Sequence, residues 1–350
     1  MVLRPLTVVL IVPTGIGASI GGYAGDALPV AKAFAGACDR LITHPNVLNG
    51  AQMYWNLPNA LYVEGYGLDR FAASEWGLQP VRQNRIGLLL DCAIEPELRL
   101  RHLQAADAAR ATLGLNLTDY ILTDAPLGVE LRLAPSGASW GTLQNPDSLL
   151  RAAEKLIHQA GAEAIAVVAR FPEETDKESL ENYRQGSGVD ALAGAEAVIS
   201  HLIVRHFQIP CAHAPALSPL LGDGRVSPRA AAEELGYTFL PCVLVGLSRA
   251  PQFVTELHKR ESTQIWGDEV DVAVIPANAC GGGAMLSLGR ARAIAVEENH
   301  TAMRVPPEPL GIEALRVRSY LEALGVLMAY RAGIDPHILR PEIANISSLS

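Results

Sequence analysis

The sequence predicts an α/β fold: mostly parallel sheets with helices on both faces, built from Rossmann-like strand–loop–helix units, in one or two lobes. Three observations predict it. Short apolar, β-branched runs recur along the chain, helical segments with readable ends lie between them, and two of the runs end in glycine-rich turns. Runs without polar alternation suit strands covered on both faces, and the alternation of strand with helix suits a parallel sheet.

The first strand is expected at Thr7–Val12, followed by further buried strands at Ile86–Leu90, Ile165–Val168, Val243–Val245, Val272–Ile275 and Ala293–Val296. Asn145-Pro146 opens a helix, with Pro at its first position, and Gly161 closes it. Ser227-Pro228 opens another that ends at Gly236. Val189–Phe207 and Ile312–Ala332 read as longer helices. The segment Ala134–Pro146 is the best linker, giving lobes of 1–145 and 146–350 or one continuous domain, and Phe171–Gly188 reads as an exposed loop. The tail Asn345–Ser350 is expected to fray.

Composition narrows the function. With 49% hydrophobic and 19% charged residues the chain can bury a core, which excludes disorder. A net charge of -9 without a basic cluster excludes a nucleic-acid backbone binder. No apolar run approaches the ~20 residues of a membrane helix, and Met1–Val12 fits a buried strand better than a signal peptide. The five cysteines, Cys38, Cys92, Cys211, Cys242 and Cys280, are scattered and form no Cys-x-x-Cys pair. That is the pattern of reduced thiols in a cytoplasmic compartment. Histidine spacing gives no metal motif, and no cofactor is identified. A homo-oligomer is left open.

After the first strand, five glycines fall within eleven residues, at Gly15, Gly17, Gly21, Gly22 and Gly25, accompanied by Thr14 and Ser19. Glycine permits positive φ and close approach to the backbone, and free N–H groups at a helix start attract anions. The pattern is neither a Walker A loop nor the dinucleotide fingerprint, since no Gly-Lys-Ser/Thr follows and Ile20 stands where the third glycine belongs. The same glycines equally suit a tight turn and close packing. Asp26 is expected to cap a helix.

A second cluster, Thr43-His44-Pro45-Asn46 with Asn49, follows a short strand. Ligands in parallel sheets gather at strand carboxyl ends, and His44 titrates in the range of a general acid or base. Glu64 and Asp91 also follow strands. A second glycine turn, Asn278-Ala279-Cys280-Gly281-Gly282-Gly283, links two expected strands, and Glu298 and Asn299 end the second of these. Arg249 and Arg292 are candidate anion partners beside ordinary surface roles.

Val12-Pro13-Thr14-Gly15-Ile16-Gly17 with Gly21-Gly22-x-Ala24-Gly25-Asp26, then Thr43-His44-Pro45-Asn46, then Ala295-Val296-Glu297-Glu298-Asn299, resemble a family of unknown function found in cyanobacteria and plants. The resemblance spans nearly the whole chain, implies a cytosolic or stromal location, and carries no activity. The glycine-rich turn before a helix also resembles sugar-nucleotide glycosyltransferases, without their acidic residue on the next helix. Pro276-x-Asn278-x-Cys280 resembles the cysteine loops of aspartate/glutamate-type racemases, for which Cys211 would be the second thiol.

The leading expectation is therefore an enzyme, transferase-like or isomerase/lyase-like, acting on a small anionic ligand that is phosphorylated or nucleotide-like. Thr14, Gly15, Gly17, Ser19, Gly21, Gly22, Asn46, Asn278, Gly281, Gly282, Gly283 and Asn299 would bind it. His44 or Glu298 would transfer protons, and Cys280 is the catalytic cysteine of the alternative cysteine-dependent racemase, isomerase or lyase. The remaining alternative is a non-catalytic binding or assembly protein whose glycines serve packing.

Overall fold

The computed structural model describes residues 4–23, 25–48, 55–173, 177–218, 222, 224–235, 239–256, 260–343 and 345–346, with only the backbone at 177–180. Asn49, Gly236 and residues 347–350, singled out above, lie outside them.

From the amino end the chain forms β1 (Thr7–Leu10), α1 (Leu28–Ala37), β2 (Arg40–Thr43), α2 (Pro45–Leu48), β3 (Ala60–Tyr62), α3 (Gly65–Ala72) and β4 (Gly77–Gln79). It continues through β5 (Ile86–Leu90), α4 (Pro96–Leu113), β6 (Leu117–Leu122), β7 (Val129–Leu133), β8 (Ser139–Leu143), α5 (Pro146–Ala160), β9 (Ala164–Arg170) and α6 (Lys177–Arg184). Next come α7 (Ala193–Phe207), β10 (Cys211–Ala216), α8 (Ala231–Glu234), α9 (Leu240–Ser248) and β11 (Gln252–Val254). The chain then adds β12 (Val272–Pro276), α10 (Gly283–Ser287), β13 (Arg292–Val296), β14 (Ala314–Val317) and α11 (Tyr320–Arg331).

Two parallel sheets result, one ordered β14-β13-β12-β1-β2-β3 and the other β10-β9-β5-β6. The α/β class read from the strand runs is the observed one. In the first sheet β1 sits between β12 and β2, with Val8 opposite Val272 and Leu41. Its side chains go alternately to two faces. Val8 and Leu10 pack with Phe34 of α1 and Leu327 of α11, while Val9 and Ile11 pack with Phe71 of α3 and Met285 of α10. Burial on both faces is why β1 shows no polar alternation.

The second sheet is covered in the same way. Ala166 and Val168 of β9 face one cluster, and Ile165 and Val167 face another with Leu149 and Ile203. The former cluster also contains the inner residues of β1, so apolar packing is continuous from one sheet to the other. Strands on either side of residue 145 contribute to both sheets. Taking each sheet with its covering elements as a lobe, the chain leaves the lobe of the first sheet through β4 and returns to it through β11, and these two strands pair antiparallel, Gln79 with Gln252. Asn84 braces this neck, giving Nδ2 to the carbonyls of Leu247 and Ala250 and receiving the Gln252 amide on Oδ1, each at 2.8 Å.

Four local expectations are corrected. Val243–Val245 is the middle of α9, whose residues are buried on every side and therefore show no periodicity. Ile312–Ala332 divides into β14 and α11, because Ser319 caps α11 by accepting the Glu322 N–H. Ala134–Pro146 forms the turn and second strand of the β7–β8 hairpin. Within Phe171–Gly188 lies the helix α6. The helix between Asn145 and Gly161 is found as read, with Gly161 left-handed at its end.

Candidate functional site

A cleft of about 240 Å³ opens at the carboxyl ends of β12, β1 and β2 and is closed from the other side by α7 and β10 of the second sheet. The first lobe contributes Ile11, Thr14, Gly22, His44, Asn46, Glu64, Asp69 and the Gly282–Met285 turn. The second contributes Glu196, Ser200 and His201 from α7 and His213 from β10, and Asp190 and Glu233 complete the acidic lining. In open α/β sheets this edge is where ligands bind.

Helix α7 presents Ala193, Glu196, Ala197, Ser200 and His201 to the cleft, the spacing of a single helical stripe. The two alanines leave the free volume and the other three carry the chemistry. His201 Nδ1 bonds the Ala197 carbonyl one turn back, which turns Nε2 toward Glu64 Oε1 at 3.4 Å. Ser200 Oγ lies 3.0 Å from His213 Nδ1, and His213 Nε2 lies 3.7 Å from Glu196 Oε2. His213 is thus gripped by two residues one turn apart on the same helix. Two histidine–carboxylate pairs face the cavity, and the first joins the two lobes.

Burial raises the Glu64 carboxyl above its ordinary range, opposed by His201 and by the N–H groups of Gly67 and Tyr66. Burial also raises Asp69, against the N–H of Ala284, and raises Asp190 well above the usual range, assisted by repulsion from Glu233 and Glu196. Each carboxylate also sits on a backbone turn. Glu64 Oε2 caps α3, accepting from Tyr66 at 2.8 Å and Gly67 at 3.2 Å. Asp69 lies against the start of α10, where a Cβ on Gly283 would fall 2.9 Å from its Oδ2. Asp190 Oδ1 takes the Leu192 N–H at 2.8 Å, and Asp26 Oδ1 takes the Gly21 N–H at 2.7 Å. Carboxylates of the chain thus take up the N–H groups of Tyr66, Gly67, Ala284, Leu192 and Gly21 at these turns. Among the described residues no Lys or Arg lines it, and no group of His, Cys, Asp or Glu is arranged to hold a metal ion.

The residues expected from sequence divide into two sets. Thr14, Gly22, His44, Asn46, Gly282 and Gly283 line the cleft. His44 is buried, its Nε2 accepts the Val12 N–H at 3.0 Å, and burial lowers its pKa to about 4. The others lie elsewhere. Gly15 and Gly17 are left-handed and pack on the second lobe, where a Cβ would meet Ser139 Oγ at 2.6 Å and the Gly188 carbonyl at 2.8 Å. Ser19 bonds the His300 carbonyl, and Gly21 packs on Val12. Asn278 bonds Thr301, and Gly281 faces Val305. Asn299 is saturated by the backbone of Ile20 and the Tyr320 hydroxyl, while the exposed Glu298 accepts the Tyr320 N–H at the start of α11. Cys280 is fully buried outside the lining, and burial pushes its thiol up to about 11. Cys211 is buried likewise, its thiol well above the ordinary value.

Two further expectations resolve into structure. Asp91 is buried away from the cleft, accepting N–H bonds from Ala93, Leu127 and Arg170. Arg249 bonds Asn56, and Arg292 stacks on Tyr330. Sequence reading missed Glu196, Ser200, His201, His213 and Asp190. A signal was present, since Glu196, Ser200 and His201 interrupt the otherwise apolar run Ala193–Val204 on one stripe.

The family described as "Protein of unknown function (DUF3326)" matches residues 7–340. A protein of Synechococcus sp. named an uncharacterized lipoprotein is 60% identical over 350 residues, covering 99% of this chain and 97% of its own length. No solved structure matches.

Proposed function

Because the chain belongs to the DUF3326 family, whose description carries no activity, we propose its function from the cleft: an enzyme that moves protons on a small molecule, in the manner of an isomerase or lyase. The observation that carries this reading is the convergence of two histidine–carboxylate pairs, Glu64–His201 and His213–Glu196, on one cavity between the two sheets. A carboxyl whose pKa is raised by burial, set beside an imidazole, supplies the two partners of acid–base catalysis. Ser200 orients His213 through its Nδ1.

The lining favours a ligand that brings N–H, ammonium or hydroxyl groups over the phosphorylated or nucleotide-like anion suggested by the glycine turns. Five carboxyl groups face the cavity, and the N–H groups of Gly21, Tyr66 and Leu192 are already taken by Asp26, Glu64 and Asp190. Cys280 and Cys211 lie outside the lining with raised thiols, which weighs against the cysteine-dependent alternative. The packing of Gly15 and Gly17 against the second lobe supports a structural part for the first turn.

A thermal-shift screen pairing amines and polyols with phosphorylated metabolites tests the ligand class, since a bound ligand at 100 times its Kd adds about 2.7 kcal/mol. Exchange of ligand C–H into deuterated water tests the chemistry. We expect exchange by the native chain and its loss in a folded Glu64→Gln variant. Stabilisation by phosphorylated compounds alone would return the anion reading to first place, and binding without exchange would make the chain a binding protein.

We assign the chain to a reducing, cytoplasmic compartment on its five free thiols. No described helix is long and apolar enough to cross a membrane. The Synechococcus relative is named a lipoprotein. Cell fractionation separates the two locations.

A further inference from the structure

Two side chains at the carboxyl end of β2 are braced by the same residue and leave one hydrogen-bonding group each toward the cleft. His44 is 7% exposed and lines the cavity. Its Nε2 accepts the Val12 N–H, so the hydrogen of the neutral ring sits on Nδ1. Among the described residues no group accepts from Nδ1. Among the described residues the sealed atoms lacking a partner are Thr7 Oγ1, Tyr62 OH and Trp266 Nε1, not this nitrogen, and the ring that carries it lines the cavity.

Asn46 repeats the arrangement with opposite sign. Its Nδ2 gives a hydrogen to the Val12 carbonyl at 2.8 Å, which fixes the amide orientation and leaves Oδ1 as an acceptor. Asn46 also lines the cavity, and Oδ1 has no partner among the described residues. The Val12 N–H and C=O thus hold one side chain each, and the outward groups are one donor and one acceptor, both uncharged.

We infer that His44 and Asn46 together read an uncharged hydroxyl or carboxamide group of the ligand, His44 giving its Nδ1–H to that group's oxygen and Asn46 Oδ1 accepting its O–H or N–H. This rests on the cleft being a ligand site, and it names a recognition group that the proton-transfer reading leaves open. A neutral imidazole suits the task because it donates to a carbonyl or hydroxyl oxygen without bringing a charge. His44 is thereby a binding residue, distinct from the two pairs across the cavity.

Nitrogen-detected NMR of the histidine rings in the full chain tests this. The free protein should show His44 as the neutral Nδ1–H tautomer. Glucosamine or glycinamide should shift that resonance saturably, whereas methylammonium and inorganic phosphate, which lack the group, should not. His44→Gln keeps an acceptor for the Val12 N–H and loses the outward donor; it should fold and bind the active probe about five- to tenfold more weakly. His44→Asn places a donor near the Nδ1 position and gives up the Val12 bond, so it should melt earlier and keep affinity. An Nε2–H tautomer overturns the inference, as does a His44 shift of equal size with methylammonium or phosphate. Responses of His201 and His213 with His44 silent overturn it alone. Silence of all three rings toward every probe overturns it together with the reading of the cleft.

Discussion

At the scale of single residues, His44 couples burial to acid sensitivity. In the unfolded chain its ring titrates near 6.5, whereas in the fold burial lowers it to about 4. Between those values the unfolded chain takes up a proton that the native ring refuses. The stability that neutral His44 represents is complete above pH 6.5 and is lost as pH falls toward 4, on the order of 3 kcal/mol in all. Glu64 works the other way, because its raised carboxyl gives stability that is lost as pH rises through the folded value. Denaturant titrations of the native chain and His44→Gln across pH 4–7 isolate the histidine. The native chain should lose stability toward acid more steeply, and parallel curves would mean that the ring is charged or exposed in the fold. The cysteines give a second expectation. Cys38, Cys211, Cys242 and Cys280 are buried and Cys92 is half-buried, so a chromogenic disulfide reagent should modify about one thiol per native chain at first. Cys280→Ser should leave ligand binding intact.

At the scale of elements, the glycine turns separate by what a Cβ would meet. Gly282 begins α10 with φ of -73° and open space around it, and it lines the cleft. Gly282→Val should keep the melting temperature within a few degrees and block ligand entry. Gly22 is the contrary case, since a Cβ would fall 2.2 Å from the Ala18 carbonyl oxygen. Gly22→Ala should cost about 1–3 kcal/mol, with backbone movement, as overpacking does elsewhere. Thermal melts of both variants beside ligand titration check the contrast. These elements also mark how far the sequence was legible. Buried runs that alternate with capped helices identified β1, β5, β9, β12, β13 and α5. The same rule failed at Val243–Val245, because a short element buried all round has no period to read. In the site, residues that follow a strand in sequence, such as His44 and Asn46, could be placed on the cleft edge. Glu196, Ser200, His201 and His213 could not, because their value arises only when α7 and β10 of the second sheet close over the first.

At the scale of the whole molecule, the two sheets share one apolar cluster, running from Val8 and Leu10 through α9 to Leu88 and Ala166. The lobes should therefore unfold together. Near-ultraviolet and far-ultraviolet circular dichroism should give coincident midpoints, and two separated transitions would show that the shared core is energetically minor.

The neck where β4 meets β11 sets a schedule for synthesis. Strand β1 pairs with β12, across a separation of 264 residues from Val8 to Val272, while every strand of the second sheet lies between them. A ribosome making roughly 5–20 residues per second takes on the order of 10–40 s between completing β3 and beginning β12. Throughout that interval β1 lacks its central neighbour and presents an open, apolar edge, the kind of surface that invites aggregation. The second sheet, by contrast, has all its strands once β10 has emerged. A nascent chain halted after residue 260 should hence carry a protease-resistant fragment from within 80–251 and remain digestible before residue 76. Protection of the amino-terminal segment in that halted chain would mean that β1, β2 and β3 hold together without waiting for their partner.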